Sequence, residues 1–258
     1  PRPSLPEVSA TLGLPTRPLD ELDDALRSLG PNPLVLRGHD PAVDSMVSPG
    51  PDDDELAATL ADLRLVKDDW EVAQLALAAD VSVRGFADVV RELDAAKRTG
   101  ERWIEGTFWR RARLEGNDVG YGSIVAAGVH ACILHWTRDD GPVRDGDLLL
   151  LDAGVEARSL YTADVTRTLP VSGRFSEQQR RVYDLVFAAQ EAGLAAVRPG
   201  AAFRDYWRAA QSVLAQGLVS WGILPSSAAD LDGPDGALHR RCSLHGTDYT
   251  DNNAGGGF

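Results

Sequence analysis

The sequence predicts an α+β fold, with helices segregated from antiparallel strands. Apolar residues recur at the 3.6-residue helical period over long stretches, above all 67–98 and 176–196. Between them, residues 147–168 hold a run of four leucines and then a segment rich in Thr and Val. That is the pattern of two antiparallel strands joined by a reversal.

Taken in chain order, residues 1–18 are proline-rich and are predicted to be extended or disordered. Leu19, Leu22, Leu26 and Leu29 stand at helical spacing and predict a short amphipathic helix. Residues 33–37 (PLVLR) predict a strand, and 49–54 a Pro/Gly/Asp linker at a domain boundary. Its acidic run leads into a helix at 55–63, whose N-terminus favours negative charge. Across 67–98 the apolar stripe is Val72, Leu75, Ala79, Val83, Phe86, Val90 and Leu93, with helix resuming over 101–113. Residues 116–122 predict a loop and 123–128 a strand, followed by the apolar stretch 131–136. Ser176, with Gln179 three residues on, is a capping box that opens a helix over 176–196 carrying Val182, Leu185, Val186, Ala189 and Leu194. A last helix is expected at 202–220, ending near Gly222, with loop at 225–237.

A net charge of −13 argues against a nucleic-acid or anionic-membrane partner, both of which need a basic surface. Cys132 and Cys242 lack metal-type spacing and predict buried, reduced thiols in a cytoplasmic protein. No apolar run is long enough for a membrane span, and no signal peptide is visible. The chain begins at Pro1, has Met46 as its one methionine, and closes on the Gly-rich run NNAGGGF. Each end predicts a fragment or a divergent terminus.

Asp152 ends the strand of four leucines, and Asp164 lies in the following Thr/Val-rich strand. Antiparallel pairing can bring both carboxylates to one face. Two close carboxylates repel unless a proton or cation lies between them, and a hard divalent cation prefers such oxygens. The plainer alternative is a turn Asp in Asp-Ala-Gly plus a surface Asp. His135 follows an apolar strand end, and His245 precedes a glycine; each is either a site residue or a hydrogen-bonded core histidine. His39, His130 and His239 read as loop or surface residues. Arg167 either orients a carboxylate or makes a cross-strand charge pair. No phosphate loop, nucleotide fingerprint, Gly-x-Ser-x-Gly elbow or paired-cysteine zinc motif is present.

Four segments together resemble the proline-specific metallopeptidases of the pita-bread fold, closest to aminopeptidase P. They are GSIVAAG at 122–128, LHW at 134–136, GDLLLLDAGVE at 146–156 and YTADVTRTLPVSG at 161–173. RLVKD at 64–68, with the helix after it, is similar to the start of that family's catalytic domain, and the likeness covers roughly 60–247. It implies three parts: 1–54 as the remnant of an N-terminal domain and linker, 55–247 as a partial pita-bread catalytic domain, and 248–258 as a divergent tail.

The resemblance also implies a dinuclear site, usually of manganese, held by two Asp, one His and two Glu. Asp152 matches the first Asp and Asp164 the second, which bridges the metals; His135 and His245 match histidines beside the substrate. The implied reaction is hydrolysis of an Xaa-Pro bond in a peptide with proline in second position. The sequence departs from the pattern where the ligand histidine is expected, which here is Tyr249, and neither glutamate ligand is present. Impaired activity, weak or partial metal binding and association into a homo-oligomer are therefore expected. A non-catalytic binding protein of the same fold and an Xaa-Pro dipeptidase are the alternative readings.

Overall fold

The structure is a computed structural model that describes residues 3–30 and 33–224. It forms two compact units, one running to Asp68 and the other beginning at Asp69.

The first unit is helical: α1 (Leu5–Leu12), a 3-10 turn at Leu19–Glu21, α2 (Leu22–Ser28), α3 (Pro41–Met46) and α4 (Asp53–Leu65). The expectation of an extended start at 1–18 is corrected by α1. Pro6 falls in the first turn, where a missing N–H costs nothing. The Glu7 carboxylate accepts the Ser4 N–H at 2.7 Å, and Gly13 closes the helix in the left-handed conformation (φ 66°). The strand expected at 33–37 does not form. The Val35 N–H goes to Asp53 Oδ1 (3.2 Å), and Arg37 reaches Asp53 Oδ2 (2.7 Å) and the Val47 and Ser48 carbonyls (2.7 Å each). The hydrogen bond from Arg37 holds the Asp53 carboxyl below the usual carboxylate range.

The second unit opens with three helices, α5 (Asp69–Arg91), α6 (Leu93–Thr99) and α7 (Glu101–Glu115). The expected stripe holds in part: Phe86 is buried and Leu93 packs against the core, but Val72, Val83 and Val90 are exposed, and the buried face of α5 is Ala78, Val81, Ser82, Gly85, Phe86, Asp88 and Val89. Small residues make this face because α7 lies close. A Cβ on Gly85 would stand 2.7 Å from the Phe108 ring.

Two antiparallel sheets follow. β2 (Ile124–Ala127), β3 (Leu148–Asp152) and β5 (Thr166–Pro170) pair in the order β2-β3-β5, while β1 (Asp118–Val119) pairs with β4 (Val155–Glu156). β1 occupies part of the loop expected at 116–122. On β3, Leu149 and Leu151 point into a core shared with Val81, Ile104, Phe108 and Val125, and are fully buried. Each such leucine contributes about 1.5–3 kcal/mol.

The capping box forms as expected on α8 (Glu177–Ala196): Ser176 N–H donates to Gln179 Oε1 at 2.9 Å, and Gln179 N–H to Ser176 Oγ at 3.2 Å. α8 packs against α9 (Phe203–Ser220), with Leu185 seated on Gly217. Ala189 of the expected α8 stripe is buried, whereas Val182, Val186 and Leu194 are exposed. Cys132 is exposed, which corrects the expectation of a buried thiol; it sits in a 3-10 turn (Gly128–Cys132) where an apolar strand was expected. Cys242 and the loop expected at 225–237 lie outside the described residues. No helix among the described residues is long and apolar enough to cross a membrane.

Candidate metal centre

Asp152 ends β3, opposite Ile124 of β2 and Thr166 of β5. Asp164 lies two residues before β5 rather than inside it, and is exposed. The two carboxylate segments are laced together by main-chain bonds. Ala153 N–H donates to the Val165 carbonyl and Ala163 N–H to the Val155 carbonyl, both at 3.1 Å. Gly154 permits this approach, since a Cβ there would stand 1.5 Å from the Ala163 carbonyl oxygen.

The Gly120 N–H donates to the Gly154 carbonyl (2.8 Å), which brings Tyr121 over the same point. Its hydroxyl lies 2.6 Å from Asp152 Oδ1 and 3.0 Å from Asp164 Oδ1. Thr166 Oγ1 donates to Asp152 Oδ2 at 2.8 Å. Burial and the adjoining Asp152 carboxylate push the Tyr121 phenol far up, so it keeps its proton and donates. One phenolic proton therefore serves two carboxylates. That leaves negative charge concentrated at one point, the donor chemistry a hard divalent cation takes. The fit is of kind and not of number: among the described residues no group of three His, Cys, Asp or Glu side chains could hold a metal. Asp152 and Asp164 offer two carboxylates at one point.

His135 is not at a strand end. It is exposed on the segment that follows the 3-10 turn, and makes no hydrogen bond among the described residues. His245 and Tyr249 lie outside the described residues. Arg167 is exposed and donates to the Thr166 carbonyl (2.7 Å) rather than to a carboxylate. His130 is not a surface residue: its Nδ1 meets the buried Glu101 Oε1 at 2.9 Å and its ring stacks on Trp136, with centroids 3.8 Å apart. Tyr121 was missed in the sequence; its one signal is an aromatic residue set between Gly120 and Gly122.

An antiparallel sheet with Asp152 at the end of β3 and Asp164 just before β5, and with helices packed on it, is the frame in which comparison with known proteins places this chain. The model of metallopeptidase family M24 matches residues 73–251, and the chain belongs to that family. It is 52% identical over 256 residues to Xaa-Pro aminopeptidase 1 of Streptomyces coelicolor, covering 96% of this chain and 51% of that protein. To Xaa-Pro aminopeptidase 2 of the same organism it is 55% identical over 250 residues, covering 96% and 53%. A variant of Escherichia coli aminopeptidase P in complex with substrate superposes with a TM-score of 0.75 at 26% identity, covering 89% of this chain and 56% of that one. The zinc-substituted enzyme in complex with product gives 0.74 at 26% identity, with 90% and 56% covered. The fold is thus the pita-bread fold of aminopeptidase P. The chain spans about half the length of the curated relatives it matches.

Proposed function

We propose that this chain supplies the aspartate side of a metal-dependent Xaa-Pro aminopeptidase, which releases the N-terminal residue from peptides with proline in second position. The observation that carries this is the convergence of Asp152 and Asp164 on the single Tyr121 hydroxyl. Similarity to Xaa-Pro aminopeptidases supports the choice of reaction.

In this reading Asp152 and Asp164 hold a divalent cation, taken to be manganese, whose chemistry when bound is to polarise a carbonyl and acidify a water. Thr166 fixes the Asp152 carboxylate by its hydrogen bond. Tyr121, kept protonated, steadies both carboxylates. The same reading gives His135 and His245 the substrate-side role of donating to developing negative charge. The bond attacked is a tertiary amide with no N–H, so its recognition cannot use the usual backbone donor. With two carboxylates converging and no third His, Cys, Asp or Glu beside them among the described residues, the chain turns over slowly on its own. A cytoplasmic location and homo-oligomeric association belong to the same reading.

The test uses the purified chain, stripped with chelator and given Mn2+ with Ala-Pro-Ala or Ala-Ala-Ala. The expected result is release of alanine from the proline peptide alone, dependent on metal and lost in Asp152→Asn, at a rate far below the ~10 s−1 of an ordinary enzyme. Metal-independent release or equal cleavage of Ala-Ala-Ala overturns the reaction assigned. Turnover at ordinary rates overturns the reading of the site as incomplete.

A further inference from the structure

Glu101, the first residue of α7, is fully buried and accepts hydrogen bonds at both carboxylate oxygens. Oε1 takes the Ala127 N–H (2.8 Å) and His130 Nδ1–H (2.9 Å). Oε2 takes the Gly141 N–H (2.7 Å) and Trp136 Nε1–H (3.0 Å). These donors use the four lone-pair sites of a carboxylate. The Glu101 N–H in turn donates to the Gly141 carbonyl at 2.9 Å.

The placement of the donors matters more than their number. They come from the end of β2, the 3-10 turn, the middle of the next segment and its far end, so one side chain ties down residues 127–141 throughout. Asp139 adds a second tie, its Oδ1 accepting the Val125 N–H at 3.0 Å. His130 and Trp136, held by opposite oxygens of Glu101, also stack on each other. His135 adjoins Trp136 in the chain. Thr137 lies against Gly122, where a Cβ would stand 3.9 Å from its Cγ2, and Gly122 follows Tyr121. The tied segment therefore borders Gly122, the chain neighbour of the residue that bridges Asp152 and Asp164.

A buried carboxylate is a poor choice for stability alone, because an apolar side chain of similar volume avoids the desolvation cost. A charged acceptor with four fixed donors does something an apolar residue cannot: it imposes one conformation on an otherwise irregular segment. We propose that Glu101 is a positioning residue, pinning the 127–141 segment so that His135 is presented to the peptide beside the carboxylate pair. This rests on the Xaa-Pro aminopeptidase reading for the role of His135; the pinning itself does not.

The experiment is amide hydrogen exchange on the full chain, comparing wild type, Glu101→Gln and the milder Trp136→Phe. Glutamine keeps the shape but replaces one oxygen by an NH2 that cannot accept. Exchange over 127–141 is expected to quicken about tenfold or more in Glu101→Gln and less in Trp136→Phe, while 148–152 and 166–170 change less than about twofold. Mn2+ affinity, measured in parallel, is expected to stay within about twofold of wild type. Uniform acceleration across the unit shows a merely structural role and overturns the proposal, as does unchanged exchange over 127–141 in both variants. If Glu101→Gln does not fold, Trp136→Phe decides on the same criterion. Affinity of the Mn2+-loaded chain for Ala-Pro-Ala is read in Glu101→Gln, Trp136→Phe and His135→Ala. The proposal requires a fall of about fivefold or more in His135→Ala and a smaller fall in the other two. A fall in His135→Ala alone overturns the positioning role. No fall in His135→Ala removes the substrate role of that histidine and overturns the underlying reading, while the exchange data decide the pinning separately.

Discussion

The Tyr121 hydroxyl lies 2.6 Å from Asp152 Oδ1, and the same oxygen lies 3.0 Å from Asp164. Without a cation, this phenol is the donor the two carboxylates share. Tyr121→Phe removes it and leaves both charges in place. In chelator the variant is expected to lose about 1.5–3 kcal/mol, the range for a hydrogen bond to a charged group. In saturating Mn2+ the deficit should shrink, because a cation neutralises the pair by itself. Paired denaturant titrations check this; an equal deficit with and without metal assigns Tyr121 a packing role only.

Cation binding should itself stabilise the chain. At a Mn2+ concentration ten times Kd the gain is about 1.4 kcal/mol for a ligand that binds the folded state alone. Asp152→Asn and Asp164→Asn each remove half of the described carboxylate pair, and each should abolish most of that gain. Mg2+ should do less, since it keeps more of its waters. Thermal melts across a metal titration measure this. A gain that survives both substitutions moves the metal site elsewhere.

Gly154 holds the two carboxylate segments together by its lack of a side chain. A Cβ there would overlap the Ala163 carbonyl oxygen, 1.5 Å away. Main chain cannot swing aside as a side chain can, so Gly154→Ala must part the segments carrying Asp152 and Asp164. A loss of about 3 kcal/mol is expected, at the upper end for overpacking. Retained wild-type stability and Mn2+ affinity in Gly154→Ala would show that the segments separate without cost.

What the sequence made legible follows the range of the interactions. Ser176 and Gln179 announce α8 because a capping box is complete within four residues. Asp152 stands out because the leucines before it define a strand and its end. The face of α5 was misread in part because large apolar residues drew the stripe, whereas the buried side also uses Gly85, which admits Phe108, Ala78, which packs with Ala157 and Ala163, and Ser82, which accepts the Val155 N–H. No local pattern shows which helix will lie against it. The strand expected at 33–37 failed for the reverse reason: apolar composition cannot supply a partner, and Asp53 claimed the Val35 N–H. Tyr121 and Glu101 were invisible because their partners are distant. The acceptors of Tyr121 are 31 and 43 residues away, and the donors to Glu101 are 26 to 40 away.

Asp139 gives a pH dependence of unusual sign for a carboxylate. It is 1% exposed, and its Oδ2 has no hydrogen-bond partner among the described residues. Burial pushes its pKa up to about 6, with Glu105 and Glu101 adding to the rise and the Val125 N–H and Arg102 opposing it. Between pH ~4, where the unfolded chain releases this proton, and pH ~6, the folded chain still holds it. Stability from this group is therefore full below that window and declines as pH rises through it, by on the order of 2–3 kcal/mol. Asp88 and Glu92, held low chiefly by Arg111 and Arg110, slope the other way, so the whole-protein curve does not isolate Asp139. A difference curve does. Asp139→Asn keeps an oxygen for the Val125 N–H and carries no charge. It should match wild type below pH ~4, gain on it up to pH ~6, and hold that gain above. Stability measured by denaturant at half-unit pH steps checks the shape. Parallel curves for variant and wild type would mean that Asp139 ionises in the folded chain as readily as in the unfolded one.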